Sequence, residues 1–258
     1  ELDHSAGYSL DPVGDLASRA GPGVLHKYHG RALLVATGAC AVHCRYCFRR
    51  HFPYEQEAAL HSGWRSAIDY ARADQSITEL ILSGGDPLSL SDRRLQQLTD
   101  ALRPLKHVRR LRIHTRYPVV LPERVDCGLI AWLRGLALQK VIVIHANHAQ
   151  EIDQSVALAC SELAGAGAVL LNQSVLLRGV NDSPEALIDL SEALFAVGAS
   201  PYYLHVLDRV QGAAHFEVDE ARALALHAEL TARLPGYLVP RLVREIPGER
   251  AKSPVRPA

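Results

Sequence analysis

Short, almost unbroken apolar runs alternate along nearly the whole chain with stretches whose apolar residues recur at helical spacing. Runs at 32–37, 79–82, 111–114, 141–145, part of 169–177 and 202–206 predict strands. Helices are predicted between and after them, at 63–73, 91–102, 126–136, 154–164, 183–197 and 219–234. Ser91, Asp126 and Ser183 supply N-cap chemistry, and Gly135, Gly165 and Gly198 stand where helices would stop. Val141-Ile142-Val143-Ile144 is apolar on both faces, as a parallel strand covered on two sides requires. A parallel α/β sheet follows, either a barrel or a doubly wound sheet, with its chemistry at the C-terminal strand ends. Polar groups do follow the runs: a cysteine-rich loop, Ser83-Gly84-Gly85-Asp86, Thr115-Arg116, His145 to His148, Asn172-Gln173-Ser174 and His205 to Asp208.

At 258 residues and 28.2 kDa the chain suits one α/β barrel domain. It divides into a lead-in at 1–24, a barrel at 25–234 and an irregular C-terminal segment at 235–258. An apolar share of 48% and a charged share of 22% exclude a disordered, collagen-like or coiled-coil chain. Basic and acidic residues balance at 28 each, so no whole-chain field draws in nucleic acid or an anionic membrane. Arg109-Arg110-Leu111-Arg112 begins a strand and reads as a solvated barrel base, not as a nucleic-acid patch. No apolar run approaches the ~20 residues that span a bilayer, and no basic-then-apolar leader opens the chain, so a cytoplasmic location is expected. Methionine is absent even at position 1, and the N-terminus is therefore read as a cut.

Five cysteines, three of them crowded into 40–47, make a poor disulfide framework. Cys40, Cys44 and Cys47 have the spacing C-x3-C-x2-C in the loop after the first predicted strand. Three thiolates leave one iron of a [4Fe–4S] cluster without a protein ligand, open to a small molecule. A zinc site completed by His43 or His51, or plain core thiols, are the alternatives, although the repeated C-x2-C pairs usual for zinc are missing. Cys127 and Cys160 fall in helical stretches among apolar neighbours and are expected to be buried and inert.

The cysteine loop, with aromatic Tyr46 before its last thiol and Ser83-Gly84-Gly85-Asp86-Pro87 one strand later, resembles the radical S-adenosylmethionine superfamily. More narrowly, Cys44-Arg45-Tyr46-Cys47-Phe48-Arg49-Arg50, segments 82–88 and 172–182, and Pro201-Tyr202-Tyr203 resemble the lysine 2,3-aminomutase family, over roughly positions 25 to 255. The resemblance implies a partial (β/α)6 barrel of the TIM type and three cofactors: a [4Fe–4S] cluster, S-adenosylmethionine and pyridoxal 5′-phosphate. By it, Cys40, Cys44 and Cys47 hold the cluster, and Ser83, Gly84, Gly85, Asp86, His145 and Gln173 lie at S-adenosylmethionine. Gly84 and Gly85 would let the backbone approach that ligand, and Asp86 would accept from its ammonium group.

An amino shift through pyridoxal phosphate needs a Schiff-base lysine. Of Lys27, Lys106, Lys140 and Lys252, the second and third begin strands, at the end away from the chemistry. Lys252, in Pro247-Gly248-Glu249-Arg250-Ala251-Lys252-Ser253-Pro254, matches the family's cofactor lysine. Lys27 and Arg31 match the two basic groups for the cofactor phosphate, with Lys27 in place of an arginine and so without the bidentate fork. Arg49 matches the clamp on the substrate carboxylate. Asp208 and Glu245 match two acids that hold the far ammonium of lysine, Glu245 replacing an aspartate.

Ser183 stands where long catabolic members carry a further cysteine, and no cysteine follows Cys160 to build their structural zinc. The resemblance is thus closest to the short type, which makes β-lysine for modification of elongation factor P. Lysine as substrate, a flavodoxin- or ferredoxin-type electron donor and the elongation-factor ligase are the partners this implies. A 2,3-aminomutase for glutamate or arginine, a catabolic lysine 2,3-aminomutase and a non-catalytic metal-binding protein are the competing readings.

Overall fold

The computed structural model describes residues 4–57 and 64–256. Along the chain run β1 (Arg19–Gly21), β2 (Val24–Tyr28), β3 (Arg31–Thr37), α1 (Tyr54–Glu57), α2 (Arg65–Ala73), β4 (Glu79–Gly84) and α3 (Asp92–Leu102). Then follow β5 (Arg110–Thr115), α4 (Tyr117–Val120), α5 (Cys127–Gly135), β6 (Gln139–Ile144), α6 (Gln154–Gly165) and β7 (Ala168–Val175). The chain closes with α7 (Pro184–Ala196), β8 (Ser200–His205), α8 (Glu220–Arg233), β9 (Arg241–Arg244) and β10 (Ser253–Pro254). Every predicted strand and helix is present, except that position 63 of the first predicted helix lies outside the described residues.

All ten strands form one sheet in sequential order. From β3 to β9 each strand is parallel to the next, while β1–β2, β2–β3 and β9–β10 are antiparallel. The two ends do not pair, so six strand–helix repeats curve into an open, partial barrel, the α/β class predicted. Helix α5 starts where Asp126 accepts from Leu129 N–H, α6 where Asp153 accepts from Val156 N–H, and α7 where Ser183 caps Ala186 N–H with Pro184 at its first position. Ser91 holds the N-cap of α3 without a side-chain cap bond.

The main core packs α2, α3, α5 and α6 on the sheet, α2 through Ile68 and the others with Leu80, Leu82, Leu95, Leu98, Leu111, Leu129 and Leu163. Each such leucine contributes about 2 kcal/mol of hydrophobic stabilisation. A second core joins α7 and α8 to β8 and β9 through Leu187, Leu204, Leu226, Leu230 and Leu242.

Three expectations change. The C-terminal segment is not irregular throughout: β9 extends the parallel sheet, and β10 pairs with it in the register Ser253↔Arg244 and Pro254↔Val243. Its apolar signal is only Leu242-Val243 between two arginines, too short to register as a run. The lead-in also contributes, through a 3-10 turn at Leu16–Ser18 and β1. Cys127 is exposed: it is the first residue of α5, which buries Leu129, Ile130, Trp132 and Leu133 within the next two turns. Cys160 is buried, and burial pushes its thiol up to about 11, which leaves it inert.

Candidate active site

Parallel pairing brings the C-terminal ends of β3 to β9 to one rim, where the cysteine loop follows β3. Three glycines allow that loop to lie against the end of β4. Gly38 packs on Tyr54, where an added Cβ would stand 2.7 Å from the Tyr54 Cβ. At Gly85 a Cβ would fall 2.4 Å from the Ala39 carbonyl oxygen, and Gly84, at φ +116°, has the Thr37 carbonyl oxygen equally close. Gly85 N–H donates to Thr37 O at 2.8 Å, Asp86 N–H to Ala39 O at 2.7 Å, and the Tyr54 hydroxyl to Gly84 O at 2.8 Å. Close approach is therefore used by the protein's own cysteine loop. Asp86 is likewise engaged internally, accepting from Leu88 N–H, the Thr115 hydroxyl and Arg116 N–H at 2.6–3.0 Å, and so ties β4 to β5.

Arg116, after β5, faces the cysteines. One guanidinium nitrogen donates to Cys44 Sγ at 3.0 Å and to the Tyr46 hydroxyl oxygen at 2.9 Å, and the other to Glu151 at 2.6 Å. Asn147 Nδ2 also donates to Tyr46, at 2.6 Å, so the aromatic side chain between the second and third thiols is fixed from two strands. Although Cys40 is exposed overall, partial desolvation of its sulfur pushes the thiol up to about 11, helped by the negative charges of Asp86, Cys47 and Cys44. Cys40, Cys44 and Cys47 follow one another on a single loop beside Arg116, and an all-sulfur donor set of this kind suits iron–sulfur ligation. Among the described residues no three His, Cys, Asp or Glu side chains converge tightly enough for a single ion. His51, offered for zinc, has its Nε2 3.2 Å from Gln211 O instead. Farther into the rim, His145 has an unpartnered, buried Nε2, and burial followed by the Arg116 charge lowers its pKa to about 4. A neutral imidazole with a free nitrogen suits a bound polar group. Gln173 sits half-buried on β7, opposite Tyr203 of β8.

The second half of the rim is a chain of charges. Lys252 Nζ donates to Glu245 Oε2 at 2.7 Å and lies 5.8 Å from the centre of the Tyr203 ring. The other oxygen of Glu245 takes Lys27 at 2.8 Å. Lys27 also reaches Asp15 at 2.7 Å and Val13 O at 2.8 Å. Asp15 in turn accepts from Arg49 Nε at 2.6 Å, and Arg49 Nη1 donates to the Ser83 hydroxyl at 2.9 Å. Burial opposes ionisation of Glu245, yet the Lys252 and Lys27 charges prevail and bring it down to about 2. Asp208 belongs to the same group: burial pushes it up to about 7, against the nearby Lys252 charge and with that of Glu245. Lys27 and Arg31 are separated by their contacts, since the Arg31 guanidinium lies 4.7 Å over the Tyr28 ring. Lys252, Glu245, Lys27, Asp15, Arg49 and Ser83 therefore form one connected cluster, with Asp208 within reach of its charges and Arg31 held apart on Tyr28.

Five residues around the site carry no motif that would assign them: Asp15, Tyr28, which pairs with Glu245 from the start of the sheet, His114, Arg116 and the imidazole of His205. His114 and His205 are buried and held neutral, chiefly by desolvation. His205 has a free, buried Nε2 and an edge-on contact with Tyr203 at 5.6 Å. Arg116 and His205 were visible only as strand-end polar residues. Asp15 and Tyr28 carry no motif at all.

A family model described as a 4Fe-4S single cluster domain matches residues 20–117. Over 96% of its length the chain is 49% identical to L-lysine 2,3-aminomutase of Escherichia coli K12, covering 72% of that protein. It is 47% identical to the Haemophilus influenzae enzyme of the same name, over 98% of the chain and 75% of the relative. The Clostridium subterminale enzyme is 36% identical, with 62% of its length covered. Among solved structures, a radical SAM methyltransferase from Sphaerobacter thermophilus superposes with TM-score 0.54 at 18% identity, over 86% of this chain and 68% of that one, a likeness of fold. The cofactor set that goes with this relationship is a [4Fe–4S] cluster, S-adenosylmethionine and pyridoxal phosphate. With its cysteine loop, open parallel barrel and lysine–carboxylate pocket on one rim, the chain belongs to the L-lysine 2,3-aminomutase family of isomerases.

Proposed function

We propose that the protein converts L-lysine to β-lysine by a 2,3-amino shift, with pyridoxal phosphate on Lys252, and supplies β-lysine for modification of elongation factor P in the cytoplasm. One observation carries the reading: β10 ties down the C-terminal segment, so that Lys252 lies in the pocket of Glu245, Asp208 and Arg49 and not in solvent. When bound, the cluster and S-adenosylmethionine supply radical hydrogen abstraction, and pyridoxal phosphate supplies a path for the migrating nitrogen. The chain's own residues bind and orient. Cys40, Cys44 and Cys47 hold the cluster, and Arg116 donates a hydrogen bond to Cys44 Sγ beside it. The 83–86 loop, His145 and Gln173 border S-adenosylmethionine, with His145 offering its free nitrogen. Lys27 and Arg31 serve the cofactor phosphate. Arg49 holds the substrate carboxylate, and Asp208 with Glu245 receives the distant ammonium. Two acids facing the pocket favour a cationic side chain, hence lysine over glutamate.

The substrate assignment is checked by offering lysine, arginine and glutamate to anaerobically reconstituted protein. Lysine alone is expected to isomerise, and Asp208→Ala to abolish that selectivity; equal turnover of glutamate overturns it. The pathway assignment is checked by mass spectrometry of elongation factor P from cells lacking this chain. Loss of the β-lysyl mass is expected, and an unchanged factor contradicts it. The electron donor is expected to be an external protein of the flavodoxin or ferredoxin type.

A further inference from the structure

Asp15 is 1% exposed, lies in the lead-in before β1, and bridges two cations that belong to different parts of the pocket. One carboxylate oxygen takes Arg49 Nε at 2.6 Å and the other meets Lys27 Nζ at 2.7 Å. Asp15 is itself anchored: Asp11 Oδ1 accepts from its backbone N–H, and Oδ2 from that of Leu16, each at 2.9 Å. Arg49 is only 7% exposed, so its guanidinium has no water to orient it and depends on these partners. A guanidinium has five N–H donors. Asp15 and Ser83 occupy two of them, on Nε and Nη1, which among the described residues leaves both N–H groups of Nη2 and one of Nη1 for a ligand. A carboxylate can be held by that remaining fork.

Building on the proposed function, we propose that Asp15 is a positioning residue for substrate recognition: it fixes the plane of Arg49 so that the free edge of the guanidinium meets the amino-acid carboxylate. Lys27, on the opposite oxygen, neutralises the second half of the Asp15 charge and keeps the carboxylate in register. Asp15 touches no substrate; its effect passes through Arg49. The consequence is selective. Loss of Asp15 weakens ligands that carry an α-carboxylate and spares those that lack one.

The test loads the protein with pyridoxal phosphate and follows the absorbance of the bound cofactor while either L-lysine or 1,5-diaminopentane, which is lysine without its carboxylate, is added. No radical chemistry is needed. Wild type is expected to bind lysine more tightly. Asp15→Asn is expected to cut that preference by about tenfold to a hundredfold, the range of one charge-assisted hydrogen bond, with diaminopentane binding little changed. In turnover the same variant raises the lysine KM with kcat nearly constant, whereas a purely structural defect lowers kcat by reducing the active fraction and leaves KM alone. Asp15→Glu keeps the charge one methylene away, carries the test if the asparagine variant does not fold, and is expected to retain part of the preference. Equal weakening of both amines, or undiminished preference in either variant, overturns the inference. A wild type that does not distinguish the two amines overturns the functional reading, and this inference with it.

Discussion

Asp208 is the residue whose ionisation the pocket controls most openly. Burial pushes its carboxyl up to about 7, so near neutrality it is only partly ionised. The native state holds this proton over a window in which the unfolded chain, titrating near 3.8, has lost it. Stability therefore falls as pH rises through that window, by at most about 1.4 kcal/mol per pH unit, and Asp208→Asn should flatten the slope in denaturant titrations. Ligand binding has the opposite sign. A lysine ammonium pairs with the ionised form, so the lysine KM should drop as pH rises through about 7 in wild type and lose that dependence in Asp208→Asn. Arg116 makes a second prediction at this scale. Its guanidinium donates to Cys44 Sγ, and Arg116→Gln removes a positive charge from the cluster's side. The cluster potential should then fall by tens of millivolts, roughly the 59 mV of a tenfold one-electron change, in an EPR-monitored redox titration; an unchanged potential would separate Arg116 from the cluster. Cys40, Cys44, Cys47 and Lys252 were legible in the sequence because fixed spacing or a flanking motif marks them. Asp15 and Arg116 were not: a single buried acid or strand-end arginine looks like any other until folding gives it a partner.

At the scale of elements, apolar periodicity was a sufficient guide to β3 through β8 and to the helices that cover them, since their apolar positions recur over six or more residues. It failed for β1, β2, β9 and β10, whose two to five residues contain too few apolar positions to form a pattern. Those short strands matter for the site, because β9 continues the rim and β10 ties down Lys252. The meaning of the double glycine was only half legible. Its demand for close approach was evident, but the atoms approached are Thr37 O and Ala39 O of the cysteine loop. Gly85→Ala would drive a Cβ into the Ala39 carbonyl and displace that loop. The expected cost is about 1–3 kcal/mol in thermal or denaturant unfolding, together with fewer than four irons per chain after reconstitution. Full iron loading in the alanine variant would show that the loop does not depend on this contact.

For the molecule as a whole, parallel strand order places the cysteine loop after β3, Arg116 after β5, His145 after β6 and Glu245 after β9 around one open rim. The C-terminal segment then folds back so that Lys252 joins them. Among the described residues no helix is long and apolar enough to cross a membrane, and charge is balanced over the chain. The central claim is that these parts act together on lysine. It is tested most directly by product analysis after anaerobic iron–sulfide reconstitution with dithionite, S-adenosylmethionine, pyridoxal phosphate and L-lysine, in wild type and Lys252→Ala side by side. β-Lysine from wild type and none from Lys252→Ala, with the cluster intact in both, is the predicted result. β-Lysine formed equally by both, or no β-lysine from wild type with a full cluster, would contradict it.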